Sequence, residues 1–131
     1  MLDINGKNID ITRGNILSLE IDAKNTTDST SYEFQVGDII RFKVMEDGNV
    51  KNIFLEKDFT LEEVSSKTNI VITANEMKIG ELSSDPVKYW YEIELNPDTD
   101  YTQTIIGYDL EEGAAILTLL PEGGDSNDKT N

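Results

Sequence analysis

The stretch VKYWYEIEL, residues 87–95, alternates side chains of different polarity along its length. Such a period of two is typical of a strand that buries one face against a core and turns the other outward. Asn96-Pro97 ends the strand, because proline cannot donate to the hydrogen-bond ladder of a sheet. The inward set is Tyr89, Tyr91, Ile93 and Leu95, and the outward set is Trp90, Glu92 and Glu94.

The same alternation recurs in shorter segments on both sides of this strand. Ile40, Phe42 and Val44 share one face, and Asp47-Gly48 after them is a strong hairpin-turn signal. A partner strand is therefore predicted over about residues 50–57. Residues 60–66 and 74–82 are ambiguous between a short helical segment and an irregular connection. The other predicted strands cover residues 8–12, 16–22, 69–73, 102–106 and 114–120.

These segments predict an all-β fold of about seven to eight strands with no long helix. The expected architecture is an antiparallel immunoglobulin-like β-sandwich, although a small barrel has the same strand count and alternation. One domain is expected over residues 1–121, with a polar loop at residues 23–31. Residues 122–131, EGGDSNDKTN, lack an apolar anchor and are expected to form a disordered acidic and polar tail.

The charged residues of the chain restrict the classes of molecule that could be its partners. The net charge is −15, from 26 acidic against 11 basic residues, and this field repels phosphate backbones and anionic lipid surfaces. Neither nucleic acid nor a membrane is expected as a partner, whereas a basic protein surface or bound cations would be favoured in an assembly. No signal peptide or membrane-spanning run is recognised, so synthesis in the cytoplasm is expected.

The chain contains no cysteine and no histidine. Thiolate chemistry, serine nucleophiles paired with histidine and the zinc motifs are therefore excluded. Paired acids remain at Glu92 and Glu94 and at Asp98 and Asp100, but isolated pairs in an acidic protein are usually solvated surface. We expect no enzyme, no catalytic residues, no cofactor and no metal site.

Aromatic residues are the best binding candidates. Tyr89-Trp90-Tyr91 would place rings on both faces of one strand, where they form either core packing or a platform for a sugar or a protein. Arg13 is expected to pair with an inward carboxylate or cap a turn. The candidate binding residues are Trp90, Tyr89, Tyr108 and Arg13.

Four segments together resemble one known family. They are ITRG at residues 11–14, VGDIIRFKV at 36–44, YWYEIEL at 89–95 and TIIG at 104–107. In order and spacing they resemble the N-terminal domain of phage upper-baseplate proteins and short prophage relatives of it, over about residues 8–120. Two positions depart from the family pattern. Asn15 stands where the family often has an acidic residue, and Glu92 stands where it often has Asp. None of the segments is a catalytic signature.

The resemblance implies an immunoglobulin-like sandwich that acts as a structural module of a phage or phage-tail-like particle, such as a baseplate or tail-fibre adaptor. Its partners would be other virion and tail proteins, it would form a homo-oligomer within the assembly, and it would be located in the virion. The alternative from the residues themselves is a carbohydrate-binding module that uses exposed aromatic rings. A carboxylate-based glycosidase is a third and weaker hypothesis, because it needs two acids facing each other across a cleft.

Overall fold

The computed structural model of the chain describes residues 2–5, 7–23, 30–108 and 110–122. Within these ranges the fold is built from strands, turns and loops, and no helix is present. The prediction of an all-β protein is therefore confirmed. The nine strands are β1 (Leu2–Asn5), β2 (Asn8–Thr12), β3 (Leu17–Ile21), β4 (Ile39–Glu46), β5 (Asn49–Thr60), β6 (Thr68–Ile72), β7 (Val87–Leu95), β8 (Gln103–Ile106) and β9 (Ala115–Leu120).

The strands form a large sheet and a small one. The large sheet has the order β1-β2-β9-β7-β4-β5, with β8 also paired to β7, and the small sheet is β3-β6. Strand β2 pairs with β9 in parallel, for example Ile9 opposite Leu117. The prediction of a purely antiparallel sheet is wrong at this pair. The long chain between β2 and β9 permits either direction, whereas a short hairpin enforces the antiparallel one.

The core lies between the two sheets and follows the predicted alternation. Phe42, Val44 and Ile93 on the large sheet are fully buried, as are Leu17 and Ile70 on the small sheet. Complete burial of one such side chain contributes about 1.5–3 kcal/mol. Period-two burial therefore accounts for both the existence of the strands and the way they face each other.

The two ambiguous stretches are connections that carry core residues. Residues 61–67 cross between the sheets, and Ser65 in this connection forms an isolated antiparallel bridge with Phe34. At the start of the second stretch, Glu76 accepts a hydrogen bond from the backbone N–H of Thr73, at 2.9 Å. Met77 is then completely buried, so this turn is held both by local hydrogen bonds and by the core.

The Gly-Asp pair of the second segment that resembles the family has a structural role. Asp38 accepts hydrogen bonds from the Tyr32 hydroxyl at 2.8 Å, the backbone N–H of Gln35 at 2.9 Å and the side-chain amide of Asn96 at 3.2 Å. Asn96, in turn, accepts a hydrogen bond from the Ile39 amide at 2.9 Å. Burial, together with the hydrogen bond to Asp38, raises the pKa of Tyr32 to about 12. Asp38 thus ties the beginning of β4 to the end of β7.

Strands β8 and β9 lie one after the other along the same side of β7. Ile106 in β8 is opposite Ile93, and Ala115 in β9 is opposite Tyr91. The last strand of the sheet is therefore one line interrupted by residues 107–114, which we call the excursion loop. The pairing is irregular beside this loop, because the register of β8 with β7 shifts between Ile93 and Glu94.

Parts of the sequence-based domain prediction fall outside the described residues. The predicted polar loop is described only at residues 23, 30 and 31, and the predicted tail only at Glu122. Glu122 forms an ion pair of 2.7 Å with Arg13. The disorder of the remaining tail stays a prediction. No helix in the described ranges is long and apolar enough to cross a membrane.

Candidate functional site

The outward face of the large sheet has a charged half, centred on β4, and a second half in which apolar side chains form a row. In the charged half, Arg41 binds Asp58 through two nitrogens, at 2.7 and 3.1 Å, and Asp98 at 2.9 Å. Lys43 lies between Glu94 at 3.3 Å and Glu92 at 3.5 Å. These pairs connect β4 with its neighbours on both sides, so this half is a cross-strand ladder of opposite charges.

The ladder determines the electrostatics of the acid pair. Glu92 and Glu94 share one face, as the alternation predicts, and both approach Lys43. Burial lowers the pKa of Lys43, but the neighbouring carboxylates of Glu94 and Glu92 more than compensate and raise it above its usual value. A cation shared by two carboxylates is typical of a structural ion-pair cluster.

In the second half, a row of apolar side chains crosses four strands, next to Lys88 and Thr118. Met45 is opposite Ile53 on one side and Trp90 on the other, and Trp90 is opposite Ile116. Directly opposed residues share a face of the sheet, so these four side chains form one stripe, which we call the outer row. Met45 is only 3% exposed although it points away from the core. Its neighbours in the row therefore shield it from water.

The excursion loop lies next to the outer row. The Tyr108 ring packs against Trp90 with 6.3 Å between ring centroids and an angle of 46° between the planes. Gly107 lies against Thr104 and Glu92, because a Cβ at this position would collide with the former and touch the latter. Tyr108 thus extends the apolar surface of the row, and Leu110 in the same loop is 97% exposed.

A single lysine closes the base of the excursion loop. The Lys7 ammonium donates hydrogen bonds to the carbonyl oxygens of Gly107 at 2.9 Å and Gly113 at 2.7 Å. The Tyr91 hydroxyl donates to the backbone carbonyl of Lys7 from the core side. Both ends of the loop are therefore fixed to the β1-β2 connection, as in compact loops whose ends lie close together.

The structure brings two of the four candidate binding residues together. Trp90 and Tyr108 form the surface described above, whereas Tyr89 points to the opposite face, is 7% exposed and packs edge-on against Phe54. Tyr89 cannot join a platform with Trp90, because successive residues of a strand face opposite sides. The candidate site therefore keeps Trp90 and Tyr108 and loses Tyr89.

Arg13 has the contacts of a structural residue. It donates hydrogen bonds to the backbone oxygens of Ile79 at 3.0 Å, Lys78 at 3.3 Å and Gly80 at 3.0 Å, and its ion pair with Glu122 is part of the same cluster. Its guanidinium joins the turn after β2, the segment before β7 and the end of β9. Arg13 therefore pairs with a carboxylate, but this carboxylate is exposed and not inward as expected, because Glu122 follows the end of β9.

A second exposed surface, which shares Ile53 with the outer row, lies along the outer strand β5. In the described part of the chain this strand pairs only with β4, so its other side faces outward. Three apolar side chains on it are substantially exposed: Val50 at 54%, Ile53 at 44% and Phe54 at 43%. Lys57 reaches across to the small sheet, where it binds the Val71 carbonyl at 3.1 Å and Glu76 at 2.7 Å.

Sequence reasoning missed Met45, Ile53, Ile116 and Leu110 as parts of a surface. Met45 follows Arg41 and Lys43 on the outward side of β4. An apolar residue after two charged ones on the same face was the feature of the sequence that could have indicated this surface. Among the described residues, no group of three or more acidic side chains could hold a metal ion. Comparisons with known protein families, curated proteins and solved structures found no match.

Proposed function

We propose that the chain is a structural assembly module of a phage or phage-tail-like particle, of the baseplate or tail-fibre adaptor kind. It acts through contacts with other virion and tail proteins and is present there in repeated copies. The observation that carries the proposal is the outer edge of β5, a strand of 12 residues that pairs only with β4 among the described strands and has exposed Val50, Ile53 and Phe54. Such an edge is a template for pairing with another chain.

The strand order supports an immunoglobulin-like sandwich as the scaffold. If β3, β4, β5, β6, β7 and β9 are matched to strands B, C, C′, E, F and G of a variable-type domain, the neighbours B–E, G–F, F–C and C–C′ are all present. In this arrangement β5 is the outer strand of the larger sheet. Domains of this type present their edges and end loops to partners, as the proposal requires.

The side chains of β5 favour a specific partner over indiscriminate pairing. Lys51, Glu56 and Asp58 lie on the same strand as the exposed apolar residues. Charges along an edge discourage pairing with strands that lack complementary charges. The backbone would then supply affinity, and the pattern of charged and apolar side chains would supply selectivity.

The test is incorporation into particles. Particles are purified from the host that encodes the chain and analysed by quantitative mass spectrometry, with the wild-type gene replaced by Val50→Lys or Val64→Lys. The two valines are matched in exposure, at 54% and 53%, but only Val50 lies on β5. We expect wild type and Val64→Lys in a fixed ratio to the tail proteins, and about tenfold less Val50→Lys.

Two results would contradict the proposal at different levels. If wild-type chain is absent from purified particles, the assembly function is wrong. If Val50→Lys and Val64→Lys are incorporated equally, the chain is a particle component but the edge of β5 is not its contact.

A carbohydrate-binding module is the second candidate, and the adjacency of Trp90 and Tyr108 is the observation that favours it. Aromatic rings can stack on the apolar faces of sugars. A glycan array probed with wild type and Trp90→Ala tests this function. Binding by wild type that Trp90→Ala loses would support it, and the absence of binding by wild type would exclude it.

A further inference from the structure

We infer that the outward face of β2, β9 and β7 carries a binding site for an uncharged saccharide. The side chains of Asp10, Thr118 and Lys88, which we call the polar line, form hydrogen bonds with its hydroxyl groups, and the Trp90 ring lies beside them. The site is separate from the edge of β5 and does not depend on the assembly function. It deepens the second candidate function, carbohydrate binding, by naming the polar groups that would hold the sugar.

The polar line crosses three neighbouring strands. Thr118 on β9 is opposite Asp10 on β2 and opposite Lys88 on β7. Directly opposed residues share a face of a sheet, and neighbouring strands are about 4.8 Å apart, so the two charged residues lie about 10 Å apart with the threonine midway. A carboxylate, a hydroxyl and an ammonium group therefore stand side by side on the outward face.

The three side chains of the polar line have no partner in the part of the chain that the structure describes. Neither Asp10, Thr118 nor Lys88 forms a side-chain hydrogen bond or an ion pair there. In the charged half of the same face, by contrast, Arg41 and Lys43 each bind two carboxylates. Adjacent polar groups that the fold leaves unpaired are available to a ligand that has both donors and acceptors.

The polar line crosses the floor of a hollow of about 450 Å³. Ile116 and Leu120 come before and after Thr118 on the same face of β9, and both are half-buried. Asn8 and Pro86 complete the lining on either side. Sites for small molecules usually measure about 300–1,000 Å³ and combine apolar walls with a few polar groups, so the hollow has the size and the composition of such a site.

The Trp90 ring borders this hollow. Trp90 is two residues from Lys88 on the same face of β7 and is opposite Ile116 on β9. The Tyr108 ring supports the indole from one side, with 6.3 Å between the ring centroids. A sugar has hydroxyl groups at its rim and apolar C–H groups on its ring faces. An aromatic ring next to polar groups over an aliphatic floor matches both parts.

The charges at the hollow favour an uncharged ligand over an ion. Asp10 and Lys88 are the charged residues among its described lining, and their charges are opposite. Asp3 is opposite Asp10 in the register of β1 with β2, and Glu92, farther along β7, already binds Lys43. An anion would meet carboxylates at one end, and a cation would meet an ammonium group at the other. A hydroxyl group can accept a hydrogen bond from Lys88 or donate one to Asp10.

The extent of the hollow favours a small molecule over a protein as the occupant. Its described lining consists of seven residues. A stable protein interface usually has about 20–30 residues on each side. A protein on this surface would also have to supply partners for a carboxylate, a hydroxyl and an ammonium group at once, whereas neighbouring hydroxyls of one sugar serve all three.

The experiment is a glycan array probed with the full-length protein, followed by titration. The array carries uncharged and anionic glycans, and the uncharged glycan that binds most strongly is titrated while backbone amide NMR shifts are recorded. The variants are Asp10→Ala, Lys88→Ala and Thr118→Val, the last of which nearly keeps the side-chain shape and removes the hydroxyl. Asp100→Ala and Lys51→Ala are controls of the same charge, because both residues are exposed and lie outside the hollow. The NMR spectrum of each variant also shows that it is folded.

We expect binding of uncharged glycans, with the largest amide shifts on β2, β7 and β9. Asp10→Ala and Lys88→Ala should each weaken binding about tenfold and Thr118→Val about threefold, because each removes a hydrogen bond, whereas both controls should change it less than about twofold. Raising the NaCl concentration from about 50 to 300 mM should also change binding less than about twofold, because the ligand has no charge to be screened.

Three outcomes would overturn the inference: an array without bound glycan, binding of anionic glycans alone, and equal effects of Lys88→Ala and Lys51→Ala. Loss of glycan binding in Trp90→Ala but not in Asp10→Ala or Lys88→Ala would place the sugar on Trp90 and Tyr108, so carbohydrate binding would stand without this site. Reduced incorporation of Asp10→Ala and Lys88→Ala into particles, with no glycan bound, would assign the polar line to a virion protein. Incorporation of wild type tests the assembly function separately.

Discussion

Replacement of Gly80 by alanine tests the packing of the segment that leads into β7. Gly80 has φ +67, a left-handed conformation that costs an L-residue about 1–2 kcal/mol. An added Cβ would also lie closer than 3.0 Å to the Tyr89 hydroxyl oxygen, a separation that real Cβ atoms essentially never show. Overpacking of this kind typically costs about 1–3 kcal/mol, so Gly80→Ala should lower the free energy of unfolding by about 2–5 kcal/mol.

Two controls separate the backbone cost from the collision. Gly48 has φ +80 and open space around its Cβ position, so Gly48→Ala should show the backbone cost alone, about 1–2 kcal/mol. Tyr89→Phe removes the colliding oxygen and leaves the nearest ring carbon, Cζ, at 3.6 Å. In that background Gly80→Ala should cost about 1–3 kcal/mol less than in wild type.

Urea denaturation followed by the fluorescence of Trp90, the single tryptophan, measures these differences. Domains of this size have about 5–15 kcal/mol of stability, so a loss of about 2–5 kcal/mol is a large fraction of the total and shifts the urea midpoint measurably. If Gly80→Ala cost no more than Gly48→Ala, or if Tyr89→Phe did not reduce that cost, the packing described here would be wrong.

Three further predictions concern the core and the titrating groups. Phe42→Ala should lower the free energy of unfolding by about 3–5 kcal/mol, measured by denaturation, because Phe42 is fully buried. Phe54→Ala should lower it clearly less, because Phe54 is 43% exposed, and equal losses would contradict the assigned core. The hydrogen bond from Arg41 lowers the pKa of Asp58 below its usual 3.8, so the stabilisation by this pair is complete above about pH 4 and is lost as the pH falls through the lowered pKa. The stabilities of wild type and Asp58→Asn should therefore converge in acid, and a difference that does not change with pH would argue against the ion pair. Burial raises the pKa of Tyr91 from 10.0 to about 12, so the folded state keeps the hydroxyl protonated to a higher pH than the unfolded state does. The free energy of unfolding should therefore fall as the pH rises above 10, and Tyr91→Phe should make this fall less steep.

Local alternation was sufficient to predict most of the strands. The segments around Phe42 and Ile93 each have one fully buried face, and hydrophobic burial with period two determines both. Strand β1, LDIN at residues 2–5, was missed because four residues with two apolar side chains carry too little periodicity. The end of β5 extends to Thr60, beyond the predicted boundary, because its register with β4 continues as far as Ile39.

The arrangement of strands depended on contacts that are distant in sequence. Alternation indicates which side of a segment is buried but contains no information on its neighbour, so the parallel pairing of β2 with β9 was not predictable. The same holds for the closure of the excursion loop, where Lys7 contacts Gly113 across more than a hundred residues.

Only part of the candidate site was visible in the sequence. Trp90 was predicted to point outward, and the structure confirms this because its strand neighbours Tyr89 and Tyr91 are both buried. The break between the two final strands was predicted, but the approach of Tyr108 to Trp90 could not be, since it requires both strands to lie along the same side of β7. The sequence around Leu110 does not indicate that its side chain is exposed, so its place on the surface could not be predicted.

The edge of β5 is tested most directly by hydrogen exchange of the backbone amides of Asn49–Thr60, compared between the free chain and the chain within purified particles. If this edge pairs with another protein, its outward amides should exchange more slowly in the particle, because they become hydrogen-bonded. Exchange across Asn49–Thr60 that is equally fast in both states would contradict the claim that the protein assembles through this strand.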